Sequence, residues 1–120
     1  MFDFEKLEVY THTRKMAHTV LAHLQSHRDM DPVLYDKLKE AVSNVVINLV
    51  QGTSRMVNED KRQFYTSARG AAFESVALLQ LLMDLDQVQE DDYDTFYAGL
   101  ESSSKMLLGM IRSIDKQLGY

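Results

Sequence analysis

Apolar residues along this chain recur at spacings of three and four, the period of helices that bury one face. From about Asp3 to His27, Leu7, Tyr10, Ala17, Leu21 and Leu24 fall on one helical stripe, with Val9, Met16 and Val20 on an adjacent one. Asp31 followed by Pro32 supplies an N-cap and a proline at the first helical position, so a second helix starts there. Its stripe is Leu34, Leu38, Ala41, Val45, Asn48 and Gly52. Asn58 ahead of Glu59 and Asp60 restarts the pattern as a third helix, with acids in its first turn. Phe64, Ala68, Ala71, Ser75, Leu78 and Leu82 form the third stripe, small at the beginning and large at the end. A fourth helix begins near Glu90, and Tyr93, Tyr97, Leu100, Ser104, Leu107, Ile111, Ile114 and Leu118 form its unbroken seam. Helices of about 25 residues are roughly 38 Å long, and short connections make neighbours antiparallel. The pattern predicts an all-α, up-down-up-down four-helix bundle.

The stretch from Asn48 to Glu74 holds polar and small residues in the most ordered places. Asn48 interrupts a run of Val, Ile and Leu, Gly52 follows one turn later, and Gly70 lies in the middle of the third helix. A helix-interior glycine costs roughly 1 kcal/mol relative to alanine, which close packing would offset. The second and third helices are therefore expected to meet closely at these glycines around a polar contact, with a short basic turn between them.

Val9, Met16 and Val20 on the first helix and Val42, Val46 and Leu49 on the second widen the apolar face beyond one stripe. They predict a second buried surface, with self-association its simplest form, the alternative being a thick core within one chain.

A chain of 120 residues is one domain by size, and there is no linker or low-complexity tract to divide it. It has no Cys, which excludes a disulfide framework, a thiolate metal site and a cysteine nucleophile. The start, MFDFEKLEVY, lacks the pattern of a signal peptide, and no apolar run approaches the roughly 20 residues that span a bilayer. The expectation is a cytoplasmic protein with no membrane partner.

Catalytic and metal chemistry find little support. All four His, at 12, 18, 23 and 27, lie in the first helix; His23 and His27 have a clamp spacing but no third ligand. There is no nucleophile with a base and orienter and no phosphate-binding glycine loop, so a non-enzymatic protein without cofactors is expected. Basic residues offer a different route. Arg62 and Arg69 share a face of the third helix, with Arg55 and Lys61 in or beside the preceding turn, while Lys105, Arg112 and Lys116 share a face of the fourth. They are the candidate nucleic-acid footprint, with Tyr65 a candidate stacking residue. The net charge of −5 argues against generic adhesion to phosphate backbones. Four of the acids, Glu90, Asp91, Asp92 and Asp94, cluster where they complement a helix N-terminus.

FEKLEVY at 4 to 10, continuing through Arg14 and Ala17, NLVQGTSR at 48 to 55, FYTSARGAAFE at 64 to 74 and SKMLLGMIRSI at 104 to 114 resemble the small "four helix bundle protein" family. That family includes proteins encoded within intervening sequences of 23S rRNA genes, and a relative is the accessory variability determinant of diversity-generating retroelements. Tyr10, Arg14, Asn48, Gly52, Arg55, Arg69, Gly70 and Glu74 stand at the positions that carry the family pattern. Gln51, Ala71 and Val76 stand where the family commonly has an acid, a Ser and a second acid. The resemblance implies an antiparallel bundle that assembles into a homo-oligomeric ring, commonly a pentamer. Together with the basic faces it implies an adaptor that binds nucleic acid, a reverse transcriptase or both through Arg55, Lys61, Arg62, Arg69, Lys105 and Arg112. The alternative from the acidic balance is a protein-interaction scaffold with no nucleic-acid role.

Overall fold

The computed structural model describes residues 1–119. Four helices follow one another, α1 Glu8–Ser26, α2 Pro32–Ser54, α3 Asn58–Asp84 and α4 Glu90–Leu118, preceded by a 3-10 turn at Asp3–Lys6. Each packs against its sequence neighbours, and α4 closes on α1, which makes an antiparallel bundle.

Local chemistry sets the helix ends. Asp31 Oδ1 accepts from the backbone N–H groups of Val33 and Leu34 at 3.0 Å, with Pro32 beginning α2 as the sequence predicts. Asp86 adopts a left-handed conformation with φ 59°, and Gln87 N–H returns to Leu82 C=O at 2.8 Å, closing α3. Gln87 Oε1 then accepts from Asp31 N–H at 2.7 Å, joining the α1–α2 and α3–α4 turns at one end of the bundle. At the other end Asn58 Nδ2 donates to Gln117 Oε1 at 2.9 Å. The first helix is shorter than the expected 3–27. Leu7 is extended at ψ 130°, and the preceding turn folds so that Phe4 meets Tyr10 edge-on at 4.8 Å.

The core corrects two readings of the pattern. Val9, Met16 and Val20 are buried in the single chain, as are Val42 and Leu49, with Val46 half-buried. α1 packs against both α2 and α4, with Met16 reaching Gly99 of α4, so the stripe of Val9, Met16 and Val20 is buried within the chain. On α4 the buried face is Phe96, Leu100, Ser103, Leu107, Ile111 and Ile114. A 3.5-residue seam drifts by about 20° per heptad on a straight helix, so the inward positions shift from Tyr97 and Ser104 to Phe96 and Ser103. Ser103 then lies within the bundle, where its Oγ accepts from Thr13 Oγ1 at 3.2 Å. Tyr97 and Ser104 are turned toward α3 and solvent.

The two glycines part company. Gly52 is buried, and a Cβ there would meet Tyr65 Cδ1 at 2.7 Å, so α2 and α3 do touch closely at this point. Gly70 is exposed, with nothing within 4 Å of its Cβ direction. The expected close contact at Gly70 is absent from the single chain, because Ala68, Ala71 and Ala72 bring α3 to its neighbours on the opposite face. The polar contact is also local. Asn48 Nδ2 donates to Asn44 C=O one turn back at 2.9 Å, while Glu74 is exposed.

Candidate nucleic-acid interface

The α3–α4 junction brings together the two basic faces that the sequence shows separately. Arg62 of α3 meets Asp115 of α4, and Gln80 of α3 donates to the Tyr93 hydroxyl of α4 at 3.0 Å, which fixes the antiparallel register between the two helices. Between these ties lies a groove of about 340 Å³, lined by Arg69, Phe73 and Val76 on one side and Tyr97, Glu101 and Lys105 on the other, over Ala72, Leu100 and Ser104. The groove exists because α3 buries only small side chains at Ala71 and Ala72, while α4 turns Phe96 inward and leaves Tyr97 outside.

The lining is aromatic and charged over an apolar floor. Phe73 is 56% exposed and Tyr97 38% exposed. The Arg69 guanidinium lies over the Phe73 ring, 4.6 Å from its centroid, and its Nε is covered without a hydrogen-bond acceptor. Lys105 Nζ stands 3.8 Å from Glu101 Oε1 one turn away, an exposed pair of little energetic weight. Arg112 is exposed two turns beyond Lys105 on the same face of α4. The acidic cluster ending at Asp94 lies ~16 Å along the axis from Lys105, farther than the screening length of about 8 Å at physiological salt.

Three of the other candidate cations, Arg62, Lys61 and Arg55, engage groups of the chain itself. Arg62 Nε donates to Asp115 Oδ1 at 2.5 Å and its Nη2 to Oδ2 at 3.3 Å, a bidentate clamp between α3 and α4. Lys61 Nζ donates to the carbonyls of Gly52 and Thr53 at 3.4 and 3.1 Å, capping the negative end of α2. Arg55 stacks over Phe64 at 4.5 Å and donates to Gln51 Oε1 at 3.2 Å. Gln51, where the family commonly has an acid, thus still receives the arginine. Tyr65, the candidate stacking residue, is buried against Gly52 and is structural. Arg14 is exposed on α1, beside Tyr10 in a shallow depression remote from this groove.

No group of three or more metal-ligating side chains occurs among the described residues. The His23 and His27 rings stack at 3.9 Å instead of opening as a clamp, with His27 Nδ1 against the His23 carbonyl at 2.9 Å. His23 also packs edge-on to Phe96 and lies 3.8 Å from Asp92 Oδ2. Burial, then the neighbouring His27, lowers its pKa below the ordinary value, with Asp92 opposing both. No helix is long and apolar enough to cross a membrane among the described residues.

Phe73 and Tyr97 are the groove residues that sequence reasoning misses. Phe73 carried a signal, since it is a large apolar residue off the Ala71, Ser75 and Leu78 stripe. Tyr97 carried none, because it occupies a regular seam position.

Comparison with curated proteins finds no match. A crystal structure of a protein of unknown function from the S23 ribosomal protein family, from Bacteroides thetaiotaomicron, superimposes with a TM-score of 0.81 at 14% identity, covering 86% of this chain and 97% of that one. At that identity the likeness shows the fold. The family assignment comes from the sequence itself: residues 5–109 match the family model of the 23S rRNA-intervening sequence protein, and the chain belongs to that family.

Proposed function

We propose that the protein is a non-enzymatic, cytoplasmic adaptor that works as a ring-shaped homo-oligomer and binds RNA along the α3–α4 groove. One observation carries the reading: Arg69 and Lys105, from two separate basic faces, line a single groove together with two solvent-exposed aromatic rings. Cations that follow a phosphate backbone beside flat rings that stack bases are the two components of single-strand binding. Arg112 extends the cationic side. Self-association is supported by apolar side chains left outside the core, Ile47 on α2 and Leu81 on α3. Repetition around a ring would join weak grooves into one avid surface. A reverse transcriptase is the protein partner that the retroelement relative adds to this reading.

A second reading is favoured by the apolar floor of the groove and the net charge of −5: a protein-interaction scaffold that docks a partner helix there and has no nucleic-acid role. Titrating purified, nuclease-treated protein with RNA at low and moderate salt, with its solution mass measured in the same sample, separates the two. Micromolar or tighter binding that weakens steeply with salt, by an assembly of several chains, supports the adaptor. Weak, salt-insensitive binding by an intact oligomer overturns it in favour of the scaffold.

A further inference from the structure

The order of side chains along the groove specifies its ligand more closely, and this inference rests on the RNA reading above. On α4, Arg112, Lys105, Glu101 and Tyr97 succeed one another on one face, cationic, then anionic, then aromatic. Four-residue steps are ~6 Å along the axis. α3 runs antiparallel in the register set by Arg62–Asp115 and Gln80–Tyr93, so Arg69 falls on the cationic side and Phe73 comes next in the aromatic direction.

A phosphate backbone can follow Arg112 to Lys105 and Arg69, but Glu101 opposes a further phosphate. Past Glu101 the α4 side of the groove offers the Tyr97 ring and then the acidic start of the helix, while Phe73 faces the step between Lys105 and Glu101. A ligand with phosphates on one side and a bare nucleoside on the other is the end of a strand. We propose that the groove binds the 3′-terminal nucleotide of a single-stranded RNA. Its last phosphodiester meets Lys105 and Arg69, its terminal base stacks on Phe73 and Tyr97, and its 2′- and 3′-hydroxyls donate to the Glu101 carboxylate.

Three features favour that polarity and ligand. A carboxylate only accepts, and the terminal cis-diol offers it two donors, whereas a 5′-phosphate would bring a second anion. The Lys105–Glu101 contact is long and exposed, so both groups are free to turn to a ligand. The Arg69 Nε, covered and without an acceptor on Phe73, gains one when the guanidinium moves onto a phosphate, and that movement bares the ring. A duplex keeps its terminal base paired and stacked and so offers no free base to a groove between two helices.

The test is fluorescence anisotropy with a 5′-labelled RNA of about 10 nucleotides, compared with its 3′-phosphorylated form, a circular form, the DNA equivalent and a blunt duplex. The 3′-phosphate, the circle and the DNA should each bind at least about tenfold more weakly, as expected for loss of a charge-assisted hydrogen bond. Glu101→Gln should narrow the gap between the hydroxyl and phosphate ends, and Phe73→Ser should weaken every linear single strand, both with an unchanged melting temperature. Equal binding of linear and circular RNA would overturn end recognition while leaving the RNA reading in place. Absence of binding to any RNA would overturn both.

Discussion

Arg62 and Asp115 form the bidentate tie that holds α3 against α4 at the open end of the groove, with the Arg62 side chain 40% exposed and that of Asp115 24% exposed. A residue that looks from sequence like part of a binding face is thus a fold element. Arg62→Gln should lower stability by about 1 kcal/mol, and Asp115→Asn by a similar amount. The double variant should cost less than the sum of the two, because each single change already breaks the pair. Denaturant unfolding of the three variants measures this; full additivity would show that the tie contributes nothing.

Gly52 and Gly70 should respond with opposite signs. Gly52→Ala drives a methyl into the Tyr65 ring and should destabilise by about 1 to 3 kcal/mol. Gly70→Ala fills open space on an exposed helix face and should stabilise the chain by about 0.5 to 1 kcal/mol. Thermal unfolding compares them. A loss at Gly70 together with a lower solution mass would place that face in contact with another copy.

Thr13 and Ser103 form a buried hydroxyl pair between α1 and α4. Thr13→Val should cost about 1 to 2 kcal/mol by leaving Ser103 without its partner, and adding Ser103→Ala should recover part of the loss. A double-mutant cycle reads the coupling, and zero coupling would mean that the two hydroxyls do not bond.

His23 makes stability depend on pH in a defined direction. Burial and His27 lower its folded-state pKa, so below the ordinary value of about 6.5 the unfolded chain binds more protons than the folded one. Its contribution is fully present above that value and is lost as pH falls from there through the lowered folded pKa. Denaturant midpoints between pH 7.5 and 5.5 should fall, and His23→Gln should flatten the slope. A slope unchanged by the substitution would assign the acid sensitivity to other groups.

Much of the architecture was legible because it follows from local rules. Asp31–Pro32 marks one helix start by capping, the acids at Glu59–Asp60 and Glu90–Asp92 mark two more by dipole chemistry, and the 3-4 spacing sets the buried stripes. What the pattern could not supply was the neighbour each stripe faces. Val9, Met16 and Val20 looked surplus until α1 proved to sit against both α2 and α4. The same limit applies at the groove. Arg69 and Lys105 lie on helices whose relative rotation is set by packing, and the shift from Tyr97 to Phe96 is a matter of about 20° per heptad that residue identity does not reveal. Arg55, Lys61 and Arg62 were visible as cations, but their engagement with Phe64, the α2 carbonyls and Asp115 depends on the fold.

A paired charge reversal tests most directly whether the α3–α4 face binds RNA. RNA affinity should be measured at two salt concentrations for the wild-type protein, for Lys105→Glu with Arg112→Glu on the groove face, and for Lys37→Glu with Lys39→Glu on exposed positions of α2. The groove pair should lose about tenfold or more in affinity and flatten the salt dependence, with melting temperature and oligomer mass unchanged, while the α2 pair should bind much closer to wild type. Equal effects from the two pairs, or none from either, would contradict the assignment of this face.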